Sequence, residues 1–343
     1  MSEYTVSNKD SKAFLTYQRI LPSFKDLILK QKSSVSDYWA EEVDGFSYML
    51  EAPPSIINSL RHHCYHITGE LPYQYRSHHT YNSYKYKSKL ELLNSFTTAD
   101  LIVPEPKNLG GFGYEFDGKL FNKDTLKYYE CAIALEKSGI LDYLKNLNDP
   151  VVCEIGAGWG GFTYYLSKLV DNLKFIIVDL PETLMFSYIY LSDLFPGKNV
   201  RLFNYETSSL NDCDFLLIPN TEFNNYKESF DATINICSFQ EMSSGQVKSY
   251  IEKVYNQKSN YIYSLNRNLN KNNNLLTDSV SNTISSFYKI NELNLLNIPY
   301  TDVDVRNNNE SKKIKLKNLV KKILMKTQEP QNHSYQHFFG KIN

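Results

Sequence analysis

The sequence has no excess of either charge. Lys plus Arg number 37 against 38 Asp plus Glu, a balance that gives no basis for a nucleic-acid or polyanion surface. No apolar run approaches the roughly 18 residues of a membrane span. Cysteine is sparse: the five residues Cys64, Cys131, Cys153, Cys213 and Cys237 are odd in number and lack C-x-x-C spacing, which argues against a zinc site and for a reducing compartment. Cys153 and Cys237 fall inside apolar runs and read as small core residues. The polar opening MSEYTVSNKDSK carries no signal-peptide pattern, so a cytoplasmic protein is expected. Histidine is absent from residues 151–306. The 27 tyrosines read as compositional bias alongside Asn and Lys, and carry no functional weight.

What is present is a 30-residue stretch around which the chain is organised, VVCEIGAGWGGFTYYLSKLVDNLKFIIVDL at 151–180. An apolar run leads to Glu154 and then to a glycine cluster at Gly156, Gly158, Gly160 and Gly161. Phe162, Tyr165, Leu166 and Leu169 follow at helical spacing, and a second apolar run stops at Asp179. The order is strand, glycine turn, helix, strand, acid: the opening βαβ unit of a nucleotide-binding fold. The glycines allow a tight turn and close approach of a ligand. Asp179, at the end of the second strand, is placed to accept ribose hydroxyl hydrogens. Gly156, Gly158 and Gly161 also fit the dinucleotide pattern G-x-G-x-x-G. Against that, Glu154 would lie near a pyrophosphate, whereas it suits a ligand with a cationic amino group.

The letters E-I-G-A-G-W-G-G resemble motif I of class I S-adenosylmethionine-dependent methyltransferases, and V-D-L-P-E-T resembles their acidic motif after the second strand. FDATINICSFQEMS and YIYSLNR resemble the fourth and fifth strand regions of the sugar O-methyltransferase family. The resemblance runs from about Leu109 to Arg267. It implies an α/β fold, a Rossmann-like class I methyltransferase sheet with helices on both faces, and S-adenosyl-L-methionine as cofactor. Glu154 would lie near the methionine amino group, with the backbones of Gly156, Gly158 and Gly160 lining that end. Asp179 would hold the ribose, Leu180 would lie against the adenine, and Asn220 is a further cofactor candidate. The implied reaction is methyl transfer to a hydroxyl of a sugar, sugar nucleotide or surface glycan. A phenolic or natural-product acceptor is the alternative.

Around this core the pattern predicts a mainly helical N-terminal region (1–108), the cofactor-binding domain (109–306), and a basic helix with a tail (307–343). In the first, Phe14, Tyr17, Ile20 and Leu21 precede Pro22, with Phe24, Leu27 and Ile28 after it, and Ser55 is a candidate helix cap. His62 and His66 stand at i, i+4, a metal-compatible spacing; without an obvious third ligand, no metal is expected. Residues 109–122 read as a glycine-rich loop before a helix capped by Asn122 or Asp124. Residues 310–326 form a lysine-rich amphipathic pattern, expected to cover the domain or to contact an anionic membrane or glycan peripherally.

Transfer to a sugar hydroxyl needs a base within hydrogen-bond reach or a metal that acidifies the hydroxyl. With no histidine in residues 151–306, Glu241 is the first candidate. Gln240 beside it can bind an acceptor but cannot take its proton. A histidine from the N-terminal region, such as His63, or His333 or His337 from the tail, is the other route. An NAD(P)-dependent sugar-nucleotide enzyme would need Y-x-x-x-K on a later helix. Tyr164 and Lys168 follow the glycines at once, and Tyr81 and Lys85 precede them.

Overall fold

The computed structural model describes residues 11–31, 37–76, 80–204, 209–293 and 335–342. Helix α1 (Lys12–Gln31) buries Phe14, Tyr17, Ile20 and Phe24, the face that their spacing predicts. Pro22 does not divide it. The helix continues through the proline, with Tyr17 and Phe24 fully packed on either side. Short elements follow: α2 (Asp37–Gly45), α3 (Pro54–Ile57), α4 (Tyr65–Thr68) and α5 (Thr80–Asn94), with 3-10 turns at Ser47–Glu51, Leu60–His63 and Pro72–Tyr75. Ser55 is not a cap, because Pro53 takes that position and Pro54 the first helical one, where a missing N–H is tolerated. His62 and His66 do not share a helix face. His62 lies in the turn Leu60–His63 and His66 in α4, with Cys64 breaking the helix between them.

The segment expected as a glycine-rich loop holds a hairpin of β1 (Tyr114–Phe116) and β2 (Lys119–Phe121). Its two turn residues, Asp117 and Gly118, both have positive φ, 51° and 75°. An Asp-Gly pair in that conformation matches the right-handed twist of the flanking strands. Asn122 then caps α6 (Lys123–Lys137), its Oδ1 accepting the Thr125 N–H at 2.9 Å.

After α7 (Ile140–Lys145) the alternating part begins: β3 (Val151–Ile155), α8 (Gly161–Ser167), β4 (Lys174–Asp179), α9 (Pro181–Leu194), β5 (Val200–Leu202), β6 (Phe215–Pro219), β7 (Ala232–Ile236), α10 (Ser244–Asn256), β8 (Tyr261–Arg267), α11 (Val280–Ser285), β9 (Lys289–Leu293) and β10 (Tyr335–Lys341). The eight-stranded sheet has the order β5-β6-β4-β3-β7-β8-β10-β9. All pairs from β5 to β8 are parallel, and β10 is antiparallel to both neighbours. This is a Rossmann-like α/β sheet with helices on both faces.

Alternation along the strands builds two cores. Val152, Phe175, Ile177, Phe215 and Leu217 point to the side covered by α6, α8, α9 and the N-terminal helices. Cys153, Ile176, Val178, Leu216 and Ile218 point to α10 and α11. Residues from α1 to α5 belong to the first of these clusters, so position 108 does not separate two cores. Position 306 is not the edge of the sheet either: β10 lies between β8 and β9, pairing His337 with Leu265 and Leu293. The basic segment 310–326, His78, His79 and His333 lie outside the described residues.

Candidate functional site

The chain order reverses between β3 and β7, and open α/β sheets bind ligands at the carboxyl ends of the strands flanking such a switch point. A cavity of about 820 Å³ lies there. One wall is the turn after β3, the ends of β4 and β6, and the loop after β7. Trp39 and Glu42 of α2, His66 of α4, Lys127 of α6 and Tyr335 of β10 also line the cavity.

Two glycines explain why the turn can be so closely covered. Gly156 has φ 73°, and a Cβ there would lie 2.0 Å from Ser238 Oγ. Gly158 has φ 61°, and its Cβ would meet Ile67 Cγ2 of α4 at 2.7 Å. Both residues line the cavity. Gly160, expected beside the cofactor, does not line it; with φ 83° it is the residue preceding α8. Trp159 carries the buried Arg61 guanidinium 3.5 Å from its ring centroid. Arg61 in turn pairs with Glu105 at 2.6 Å and Asp124 at 3.5 Å, tying the glycine turn to the N-terminal region and α6.

Three of the carboxyls that line the cavity are the ones the sequence singled out, Glu154, Asp179 and Glu241. Glu154 is buried at the end of β3 and accepts the Thr163 hydroxyl at 2.5 Å. Burial pushes its carboxyl up to about 7, against that hydrogen bond, with the Asp179 charge adding to the rise. Asp179 accepts the Gly158 N–H at 2.6 Å and the Leu180 N–H at 2.7 Å. Burial raises it to about 6 despite both bonds. A carboxylate oxygen has a second lone pair, so those bonds leave room for ribose hydroxyls. Glu241, in the short turn after β7, is raised to about 7 by burial, against a hydrogen bond with Trp39. The Asn220 Oδ1 at the end of β6 is buried without a partner among the described residues, an acceptor site suited to an exocyclic amino group. Carboxylates for a cation and a diol, with an orphan acceptor beyond them, fit an adenosyl amino acid.

The loop carrying Glu241 is fixed by amides that the sequence did not point to. Asn235 donates to Ile155 O at 2.8 Å and accepts the Phe239 N–H at 3.0 Å. Asn266 donates to Asn235 Oδ1 at 2.7 Å. Gln240 is held in the same way: its Oε1 accepts the Arg267 N–H at 2.9 Å, and its Nε2 donates to the Tyr335 hydroxyl at 3.0 Å. It lines the cavity chiefly as a clamp between β8 and β10.

Of the expected histidines, neither His63 nor His337 lines the cavity, and His333 lies outside the described residues. The His63 Nδ1 lies 2.7 Å from the Tyr48 hydroxyl. His337 is buried between the Tyr263 hydroxyl at 2.8 Å and Glu130 at 2.9 Å. Among the described residues, His66 is the histidine that lines the cavity. Its Nδ1 pairs with Glu42 at 2.8 Å, and its covered Nε2 has no partner among the described residues. No sequence signal links it to Glu42, which lies 24 positions away. Among the described residues no group of three or more His, Cys, Asp or Glu could hold a metal ion. Neither Tyr164 nor Lys168 lines the cavity, so the geometry gives the dehydrogenase pattern no support.

No protein-family model matches the chain, and no curated protein matches it. Solved structures with a similar fold include phosphoethanolamine N-methyltransferase 2 of Haemonchus contortus in complex with S-adenosyl-L-methionine (TM-score 0.35, 12% identity, 61% of this chain and 52% of that one). Precorrin-6y C5,15-methyltransferase of Geobacter metallireducens is another (TM-score 0.35, 16% identity, 60% of this chain and 88% of that one). The mitomycin 7-O-methyltransferase gives 0.28 and 10% identity over 43% of this chain and 40% of its own. The chain thus spans about half the length of the first of these. At such scores the likeness adds nothing to the assignment of the site.

Proposed function

We propose that the chain is an S-adenosyl-L-methionine-dependent O-methyltransferase acting on a hydroxyl of a sugar or sugar-containing acceptor. The observation that carries this is the convergence of Glu154 and Asp179 with the Gly156–Gly158 turn in one cavity at the switch point. When bound, the cofactor supplies a methyl group on a sulfonium, whose departure leaves a neutral thioether. The chain's own residues bind, orient and deprotonate. Glu154 receives the cationic amino group, and Asp179 receives the ribose hydroxyls. Trp39 and the α4 wall exclude water from the reacting end. Glu241 takes the acceptor's proton on a carboxylate oxygen. His66, paired with Glu42 and lining the same cavity, is the second proton acceptor.

The charges in the cavity favour a neutral acceptor over a phosphorylated one. Glu42, Asp44, Glu154, Asp179 and Glu241 face a single lysine, Lys127, among the described lining residues. A polyhydroxylated ring suits carboxylates and the faces of Trp39 and Tyr335, whereas a diphosphate would meet mainly like charge. The five free thiols fit a reducing, cytoplasmic setting. A phenolic acceptor is the second reading, supported by the aromatic side chains Trp39, Tyr65 and Tyr128 on the wall.

Calorimetry with S-adenosylmethionine, S-adenosylhomocysteine and NAD(P)H tests the cofactor. Micromolar binding of the first two and none of the third is expected; the reverse would overturn the reading. Neutral sugars, sugar nucleotides and phenols are then compared as acceptors, with turnover expected for the neutral sugars.

A further inference from the structure

We propose that Lys127 binds the α-carboxylate at the methionine end of the cofactor, an inference that rests on the cofactor reading above. An amino-acid end carries both signs, and a cavity that receives its ammonium on Glu154 must also answer its carboxylate. Without a cation, that carboxylate would face Glu154 and Glu241 in a poorly solvated cleft, where like charges repel strongly. Lys127 is the one lysine or arginine among the described lining residues.

Its place is built. The Nζ lies 3.0 Å from Asp124 Oδ1, and the side chain is only 13% exposed. Asp124 is held by Arg61, which lies over Trp159 of the glycine turn. The network that anchors Lys127 therefore anchors the turn as well. Burial pushes Asp124 up, but Lys127 and Arg61 outweigh it and hold the carboxyl below its ordinary value, so the anchor stays charged. The Lys127 charge also lowers Glu154 and Glu241 against the effect of their burial. An ammonium presents three donors, so the bond to Asp124 is compatible with a second carboxylate.

Calorimetry of the full chain with three ligands tests this: S-adenosylmethionine, its decarboxylated form, and 5′-methylthioadenosine, which lacks the amino acid altogether. The wild-type protein is expected to bind the parent at least about tenfold more tightly than the decarboxylated form. In Lys127→Met the parent should weaken roughly ten- to a hundredfold, and its preference over the decarboxylated form should disappear. The affinity for 5′-methylthioadenosine should change less than about threefold, which reports an intact site. Where Lys127→Met does not fold, Lys127→Gln, which keeps a donor for Asp124, carries the same comparison. A preference that survives the substitution, or equal weakening of all three ligands, overturns the assignment of Lys127 alone. Failure of the wild-type protein to bind any of them overturns the cofactor reading and this inference with it.

Discussion

Glu154, Asp179 and Glu241 are carboxyls whose burial raises them to about 7, 6 and 7. A raised carboxyl is the form of acid that can act as a base near neutrality. Replacing Asp179 with Ala removes two lone-pair-bearing oxygens from the ribose site and should weaken S-adenosylmethionine binding by about 1.5–3 kcal/mol, measured by calorimetry. Glu241→Gln keeps shape and loses the base, so kcat on a sugar acceptor should fall roughly 10²- to 10⁴-fold with little change in cofactor affinity. The sign of the pH effect follows. Glu241 accepts a proton only when ionised, so kcat/KM should rise with pH through about 7, and that limb should be missing from the Gln variant. A phenol, with a pKa near 10, depends far less on the base, so an acceptor whose turnover is spared by Glu241→Gln would favour the phenolic reading. A fall of similar depth in His66→Asn but not in Glu241→Gln would transfer the base to the histidine. Asp179 was legible because it closes the apolar run of β4, and Glu154 because it stands in β3 just before the glycines; Glu241 lies in the turn that follows β7 rather than at a strand end. Gln240 was read as an acceptor-binding amide; its neighbours across the sheet, Arg267 and Tyr335, hold it instead.

At the scale of elements, the turn after β3 and helix α4 fit only because neither carries more atoms than it does. Gly158→Ala would combine a strained positive φ with a Cβ 2.7 Å from Ile67 Cγ2. The strain alone costs about 1–3 kcal/mol. We expect a lower melting temperature and, since α4 must shift, a loss of cofactor affinity larger than the loss of stability. Thermal unfolding and calorimetry on the same variant measure the two. The βαβ pattern was readable because its strands alternate between two buried faces and its glycines cluster. The β1–β2 hairpin was readable only at its Asp117-Gly118 turn, since three-residue strands are too short to display a period. The continuity of α1 through Pro22 was not readable, because packing on both sides of the proline decides it.

At the scale of the molecule, β10 closes the sheet. It separates β8 from β9, buries Phe338, and places His337 between Tyr263 and Glu130. A chain ending at residue 334 would lose all of this. The burial of one such Phe is worth about 1.5–3 kcal/mol, against a typical total stability of about 5–15 kcal/mol. We expect such a truncation to melt without a cooperative transition by circular dichroism, and to lose cofactor binding along with Tyr335.

The sequence by itself determined the alternating core from β3 to β8, the glycine turn, and the carboxylates Glu154 and Asp179. Those signals are local: a period of two, a positive-φ glycine, and an acid where a strand stops all sit within 30 residues of one another. Only the tertiary structure decided what else lines the cavity. Trp39, Glu42, His66, Lys127 and Tyr335 reach the cavity from separate elements on either side of that core in the chain. Their meeting depends on the N-terminal helices packing on one sheet face and on β10 entering between β8 and β9. Contacts of that range leave no spacing in the chain, because what fixes them is the shared burial of surfaces rather than any repeat along the backbone.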